Sequence, residues 1–242
     1  MDGFSYFNIF ETKGIEYLAI LAFFAILIPF WIVLNKQVRI KKRLKNALGI
    51  LSVKGLKIPQ GLLYSNNHTW AHLGKSGTAT VGLDDLLLHI TGKVSVFNLK
   101  KPGDMIHQGE LLTTIEQQGK MLQIFSPISG AVTDTNTILT RDPGLLNEDP
   151  FGKGWIYRIR PTRWMAETSN FYLGDDATRW VAKEVDRFKD FMAVSAEKYS
   201  PDPSLAILQD GGELRDHTLA ELPGEFWLDF QKDFLNKGYK KS

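Results

Sequence analysis

The chain has 242 residues, 43% of them hydrophobic, a formal net charge of +2 and no cysteine. That is enough apolar material for a real core in one or two domains. The missing cysteines exclude disulfides, zinc–thiolate sites, iron–sulfur clusters and thiol catalysis, and the small net charge without a dominant basic face disfavours a nucleic-acid binder.

The first predicted element is a transmembrane helix. Tyr17 to Leu34 is eighteen residues without a charge, ~27 Å as a helix against a hydrocarbon layer of ~30 Å. Tyr17 and Trp31 suit the two interfaces, and Pro29 is tolerated within a membrane helix. A cleaved signal peptide fits poorly, because Asp2 and Glu11 outweigh Lys13 before the run and no small-residue cleavage site follows it. Lys36, Arg39, Lys41, Lys42, Arg43 and Lys45 crowd the C-terminal flank. The positive-inside rule then predicts a single-pass protein of the cell (inner) membrane, with the lipid bilayer as a partner and the C-terminal domain in the cytoplasm.

Residues 36–50 read as a short basic helix with Ile40, Leu44, Ala47 and Leu48 on one face, and 51–60 as a linker containing Gly55 and Pro59. From Leu62 to about Arg163 the pattern becomes β-rich. Short runs recur at Thr78–Gly82, Lys93–Leu99, Glu110–Glu116, Met121–Phe125, Gly130–Thr133 and Trp155–Arg160, separated by turn signals such as Pro102-Gly103, Gln118-Gly119 and Pro143-Gly144. Many short strands with regular turns predict a sandwich or small barrel.

Residues 175–199 switch to helical period, with Ala177, Trp180, Val181, Val185, Phe188 and Met192 in one stripe. Leu205–Leu208 is a short strand candidate, followed by a turn at Asp210-Gly211-Gly212, and Pro223 opens a second helix. Phe226, Trp227, Phe230 and Phe234 line one face of that helix. The stripe either packs on the β domain or forms a docking surface for a partner.

Residues 64–163 resemble the H protein of the glycine cleavage system. Tyr64, His68 and Trp70 are similar to the family's opening motif, and Gly77–Asp85 to its next strand and turn. Pro102-Gly103-Asp104 with Gly109 and Glu110 resembles the loop before the carrier hairpin, and Ser126-Pro127-Ile128-Ser129-Gly130 the strand after it. The run Asn147-Glu148-Asp149-Pro150-Phe151-Gly152-Lys153-Gly154-Trp155 is nearly the family's own and is the most specific match. The resemblance implies a barrel-sandwich, lipoyl-like fold over about 100 of the 242 residues. It also implies a lysine at a hairpin tip, to which lipoate is joined as a swinging arm.

In the family that lysine stands seven residues before the serine of Ser-Pro. Here that position is Gly119, and Lys120 comes one residue late. On a β-hairpin, successive side chains alternate faces, so a one-residue slip reverses the direction of the amine. Gly119 suits a turn apex that needs a positive φ.

Other constellations are weak. His68 and His72 lie ~13 Å apart if the segment is a strand, too far for one metal ion. His68 is expected to pack with Trp70, and His89 and His107 to be solvated or locally bonded. Of Asp84 and Asp85, one is expected to cap the helix opening at Leu86. No Ser–His–Asp set, phosphate loop or dinucleotide motif is present, so no enzyme active site is expected.

The expectation is thus a mostly β, barrel-sandwich hybrid with one N-terminal transmembrane helix and a C-terminal α-helical extension. Its parts are an anchor at 1–35, a basic helix and linker at 36–61, an H-protein-like domain at 62–164 and the extension at 165–242. The expected function is a non-catalytic docking or assembly subunit of a membrane-associated complex, without cofactor, its docking candidates being Phe226, Trp227, Phe230 and Phe234. The alternative is a lipoylated carrier of aminomethyl or acyl groups, with Lys120 holding lipoate.

Overall fold

A computed structural model describes residues 17–31, 51–199 and 216–236. The basic helix at 36–50, the strand candidate Leu205–Leu208 and the turn at Asp210-Gly211-Gly212 lie outside the described residues. The chain divides into two compact units, 1–49 and 50–242.

In the first unit the described residues form one helix, α1, at 17–31. Among the described residues no helix is long and apolar enough to cross a membrane. This overturns the expected transmembrane anchor, the single-pass topology and the placement in the inner membrane with a cytoplasmic C-terminal domain.

Among the described residues the second unit is built on nine strands, every named pair antiparallel. They are β1 Leu63–Tyr64, β2 Thr69–Leu73, β3 Ala79–Leu83, β4 Ser95–Asn98, β5 Met105–Ile106, β6 Leu111–Gln117, β7 Lys120–Phe125, β8 Gly130–Thr135 and β9 Tyr157–Pro161. Six form a sheet in the order β1-β2-β3-β9-β8-β5, and three form a second sheet in the order β4-β6-β7. Strand alternation supplies the shared core: Ala79, Val81 and Leu83 from β3 and Leu122 and Ile124 from β7 are buried, with Ile159 from β9. Helix α2, Asp85–Thr91, contributes Leu86, Leu87, Leu88 and Ile90. Asp84 caps it, its side chain accepting from the Leu87 N–H at 2.8 Å. Gly130 lies where β8 runs against β9, and a Cβ there would fall 2.2 Å from the Arg160 carbonyl oxygen.

The Asn147–Trp155 run staples this core rather than forming a site. The Asn147 amide donates to the Leu88 and Gly92 carbonyls at 3.4 and 3.2 Å, holding the end of α2. Asp149 accepts from the Gly152 and Lys153 N–H groups, and Phe151 packs against Tyr64 and Trp70.

The C-terminal extension belongs to the same unit. After two short helices, α3 Ile138–Arg141 and α4 Leu145–Glu148, and a third, α5 Trp164–Thr168, comes the long α6, Asp175–Tyr199. Its apolar stripe of Ala177, Trp180, Val181, Val185, Phe188 and Met192 is buried, as its period requires. A 3₁₀ turn at Thr218–Glu221 leads into α7, Gly224–Asp229, which continues as a π-helical turn, Phe230–Leu235.

His68 clasps the strands to this extension. Its ring lies between Trp180 and Phe234, with centroids 5.4 Å from each. It is fully buried and sits at φ 57°, in a turn before β2 rather than in a strand. Nδ1 is 2.8 Å from Asp84 Oδ2. Nε2 is 3.4 Å from Glu184 Oε2, an ion-pair distance without hydrogen-bond alignment. Burial by itself would lower the His68 pKa, but the Asp84 carboxylate, helped by Glu184, pushes it up to about 9. Glu184 is held below the usual carboxylate range: burial would raise it, and His68 and Arg187 more than offset that.

The sign of the pH dependence follows. A histidine whose pKa rises on folding stabilises the fold fully below its ordinary value of 6.5, and that stability is lost as pH climbs through about 9. His89 adds to the same loss, because its bond to Asp85 and one to Asp216 also raise it to about 9. Thermal stability should therefore decline between pH 6.5 and 9, and His68→Gln should flatten about half of that decline, as read by melting curves across pH. A melting temperature that stays level through this window contradicts a buried imidazolium. Phe230→Ala should cost ~3–5 kcal/mol in denaturant unfolding, because the ring is completely buried between Phe188 and Phe234.

Candidate functional site

The candidate site is the β6–β7 hairpin tip. Gln118 and Gly119 form its turn with φ of 52° and 80°, the left-handed pair that the tight two-residue hairpin turn demands. A Cβ on Gly119 would meet nothing within 4 Å, so the apex is open. The Glu116 carboxylate accepts from the Gly119 N–H and fixes the turn. Lys120 is not at the apex. It is the first residue of β7 and pairs with Gln117 across the hairpin.

The Lys120 amine is held by the extension. Nζ donates to the Ala220 carbonyl at 2.7 Å and to the Leu222 carbonyl at 3.0 Å. It also lies 5.2 Å from the centroid of the Trp227 ring. Trp227 is fixed in turn, its indole N–H donating to the Leu219 carbonyl at 2.8 Å. The exposed edge of β7 is covered as well: the Gln123 N–H donates to Gln231 Oε1 at 2.7 Å, and Gln231 Nε2 donates to the Gln123 carbonyl at 3.3 Å. One side-chain amide thus completes a strand edge that would otherwise offer its main chain.

The four expected docking residues are placed differently from the reading as a docking surface. Phe226, Trp227, Phe230 and Phe234 are all buried in the chain's own core. Phe191 meets Phe226 at 5.3 Å and Phe230 at 5.7 Å, and Phe188 meets Phe234 at 5.7 Å. Their helix pairs with the apolar stripe of α6, so this face is already covered. The helical period was visible in the sequence; its mate was not, because two amphipathic faces distant in the chain carry no label of their pairing.

The remaining candidates are structural. His72 is exposed on β2, 3.3 Å from the Gly61 carbonyl. His89 is not simply solvated; Nε2 lies 3.3 Å from Asp85 and Nδ1 2.9 Å from Asp216, which ties α2 to the extension. Among the described residues no group of three or more histidines and carboxylates could hold a metal ion.

The resemblance implies lipoate, whose attachment would need a primary amine at the end of this hairpin. The hairpin from Leu111 to Phe125 holds one lysine, Lys120, and its contacts described above all come from residues 220–227. The amine therefore fits the attachment chemistry only when those residues withdraw.

Comparison with known proteins points to one family. The family model for the glycine cleavage H-protein matches residues 62–184. A glycine cleavage system H protein of Rubrobacter xylanophilus is 39% identical over 104 residues, 43% of this chain and 82% of the relative. A probable glycine cleavage system H protein of Thermococcus kodakarensis is 33% identical over 113 residues, 47% of this chain and 84% of the relative. A crystal structure of a glycine cleavage system H protein from Mycobacterium marinum is 26% identical, with a TM-score of 0.41 over 43% of this chain and 87% of that one. With a family model spanning half of its length, this chain belongs to the glycine cleavage H-protein family.

Proposed function

We propose that this chain is an H-protein-type carrier, not an enzyme, loaded with lipoate at Lys120. The supporting observation is that the hairpin lies within the family match and carries one amine beside its apex, held by residues outside that match. The relatives, named as H proteins along more than four fifths of their length, favour this reading over a purely structural one. Lipoate joined there would supply a dithiolane arm for an aminomethyl or acyl group, with the proteins of a glycine-cleavage-type system as partners. The chain's own contribution is positional. The Gln118-Gly119 turn sets the register, and the open apex leaves room for an arm to leave the surface.

A second reading is a docking module without a cofactor. Gly119 at the family's lysine position favours it, as does an amine already engaged by two carbonyls. One measurement separates the two. Purified protein from cells supplied with lipoate and a lipoate ligase should gain the mass of one lipoyl group, and Lys120→Ala should abolish the gain. An unmodified mass under those conditions, with a family relative loaded in the same cells, sinks the carrier reading and leaves the docking module.

A further inference from the structure

We propose that residues 216–235 form an autoinhibitory latch, which closes over the carrier hairpin and whose first part, 216–222, must lift before Lys120 can be used. The inference builds on the carrier reading.

Three observations point the same way. The latch addresses the hairpin through polar groups, not only through its aromatic face: two backbone carbonyls take the Lys120 amine, and one side-chain amide takes both main-chain groups of Gln123. A helix that merely filled the core would have no need of either. Second, the latch begins with its own pin, because Asp216 is 2.9 Å from His89 Nδ1 and the His217 N–H donates to the His89 carbonyl at 2.6 Å. The pin sits on α2 and the Gln231 contact on β7, so the segment straddles the hairpin tip between two fixed points. Third, the cradle is shaped for an ammonium. Two carbonyl oxygens and the face of Trp227 suit a cation. Acylation would turn that cation into a neutral amide with one N–H, which could satisfy only one of the two carbonyls. The closed latch is therefore matched to the unloaded lysine, and loading would remove its best contact.

The test reads amine accessibility without lipoate, so that it stands apart from the carrier question. Full-length protein is treated with a limiting acetylating reagent, and each lysine is followed by peptide mass spectrometry. Lys75, exposed in the turn between β2 and β3, is the internal reference. In the wild type Lys120 should react at least about ten-fold more slowly than Lys75, the protection expected of a site reached only by local opening. Asp216→Ala with Gln231→Ala removes the side-chain contacts of both pins, keeps the main-chain bond from His217 to His89 and leaves every buried ring in place; Lys120 should then react faster, moving toward the Lys75 rate. If that double variant melts early, the single Gln231→Ala variant carries the same comparison. Equal rates for Lys120 and Lys75 in the wild type overturn the latch. So does unchanged protection in the folded variants. Each protein is also exposed to lipoate and its ligase. Faster loading of the variant supports the gating role, and equal loading overturns it. No loading of either, with the acetylation difference intact, defeats the carrier reading while the occlusion stands.

Discussion

The buried charge cluster at His68 is the constraint on which the rest of the second unit depends. An imidazole with no solvent exposure sits between Asp84, which also caps α2, and Glu184, which also pairs with Arg187 on α6. Breaking such a cluster is costly because a lone charge would remain in a low-dielectric interior. One residue thereby couples the opening strands, the first helix and the C-terminal extension. The left-handed φ at His68 has the same origin: the ring reaches both carboxylates only from a turn, and the surrounding contacts hold that backbone in place. Phe234 stacks on the ring at 5.4 Å, and Arg187 lies over Phe234 while donating to its carbonyl. The end of the extension is thus fastened at the point where the β-domain begins.

From that clasp the position of the hairpin cover follows. With Phe234 against His68 and Phe230 against Phe188, the π-helical turn lies beside β7 and Gln231 faces the strand edge. The preceding 3₁₀ turn is then drawn to the hairpin tip, where its carbonyls, left without helical partners, meet the nearest cation, Lys120. Packing energy lies mainly in the aromatic cluster. The polar contacts at the tip contribute less, since exchange with water offsets much of each hydrogen bond. A segment held strongly at one end and weakly at the functional end is suited to local opening without loss of the fold.

Much of this molecule is legible from residue order. Local chemistry determined the strand-and-turn pattern between 62 and 164, a helix cap at Asp84 or Asp85, the left-handed turn at Gln118-Gly119 and the place of Lys120 one residue past it. Each depends on neighbours within a few positions, so composition and spacing carry it. The two helical stripes of the extension are legible for the same reason. Hydropathy at Tyr17–Leu34 reports composition alone, whereas a span also requires length as a continuous helix, and among the described residues no helix meets both conditions.

What the sequence could not determine are the pairings between distant segments. Nothing near His68 announces Glu184, nothing near Lys120 announces the carbonyls of Ala220 and Leu222, and Gln231 is an ordinary surface residue until it meets the edge of β7. A docking face and a core face have the same period and the same residues; only burial against α6 tells them apart. Main-chain acceptors are invisible in principle, since every residue carries one and only the fold decides which are left to bind. The sequence alone placed an amine one residue from the family's position; the tertiary structure decided that the amine is covered, because the covering atoms are backbone oxygens brought there by the packing of rings elsewhere.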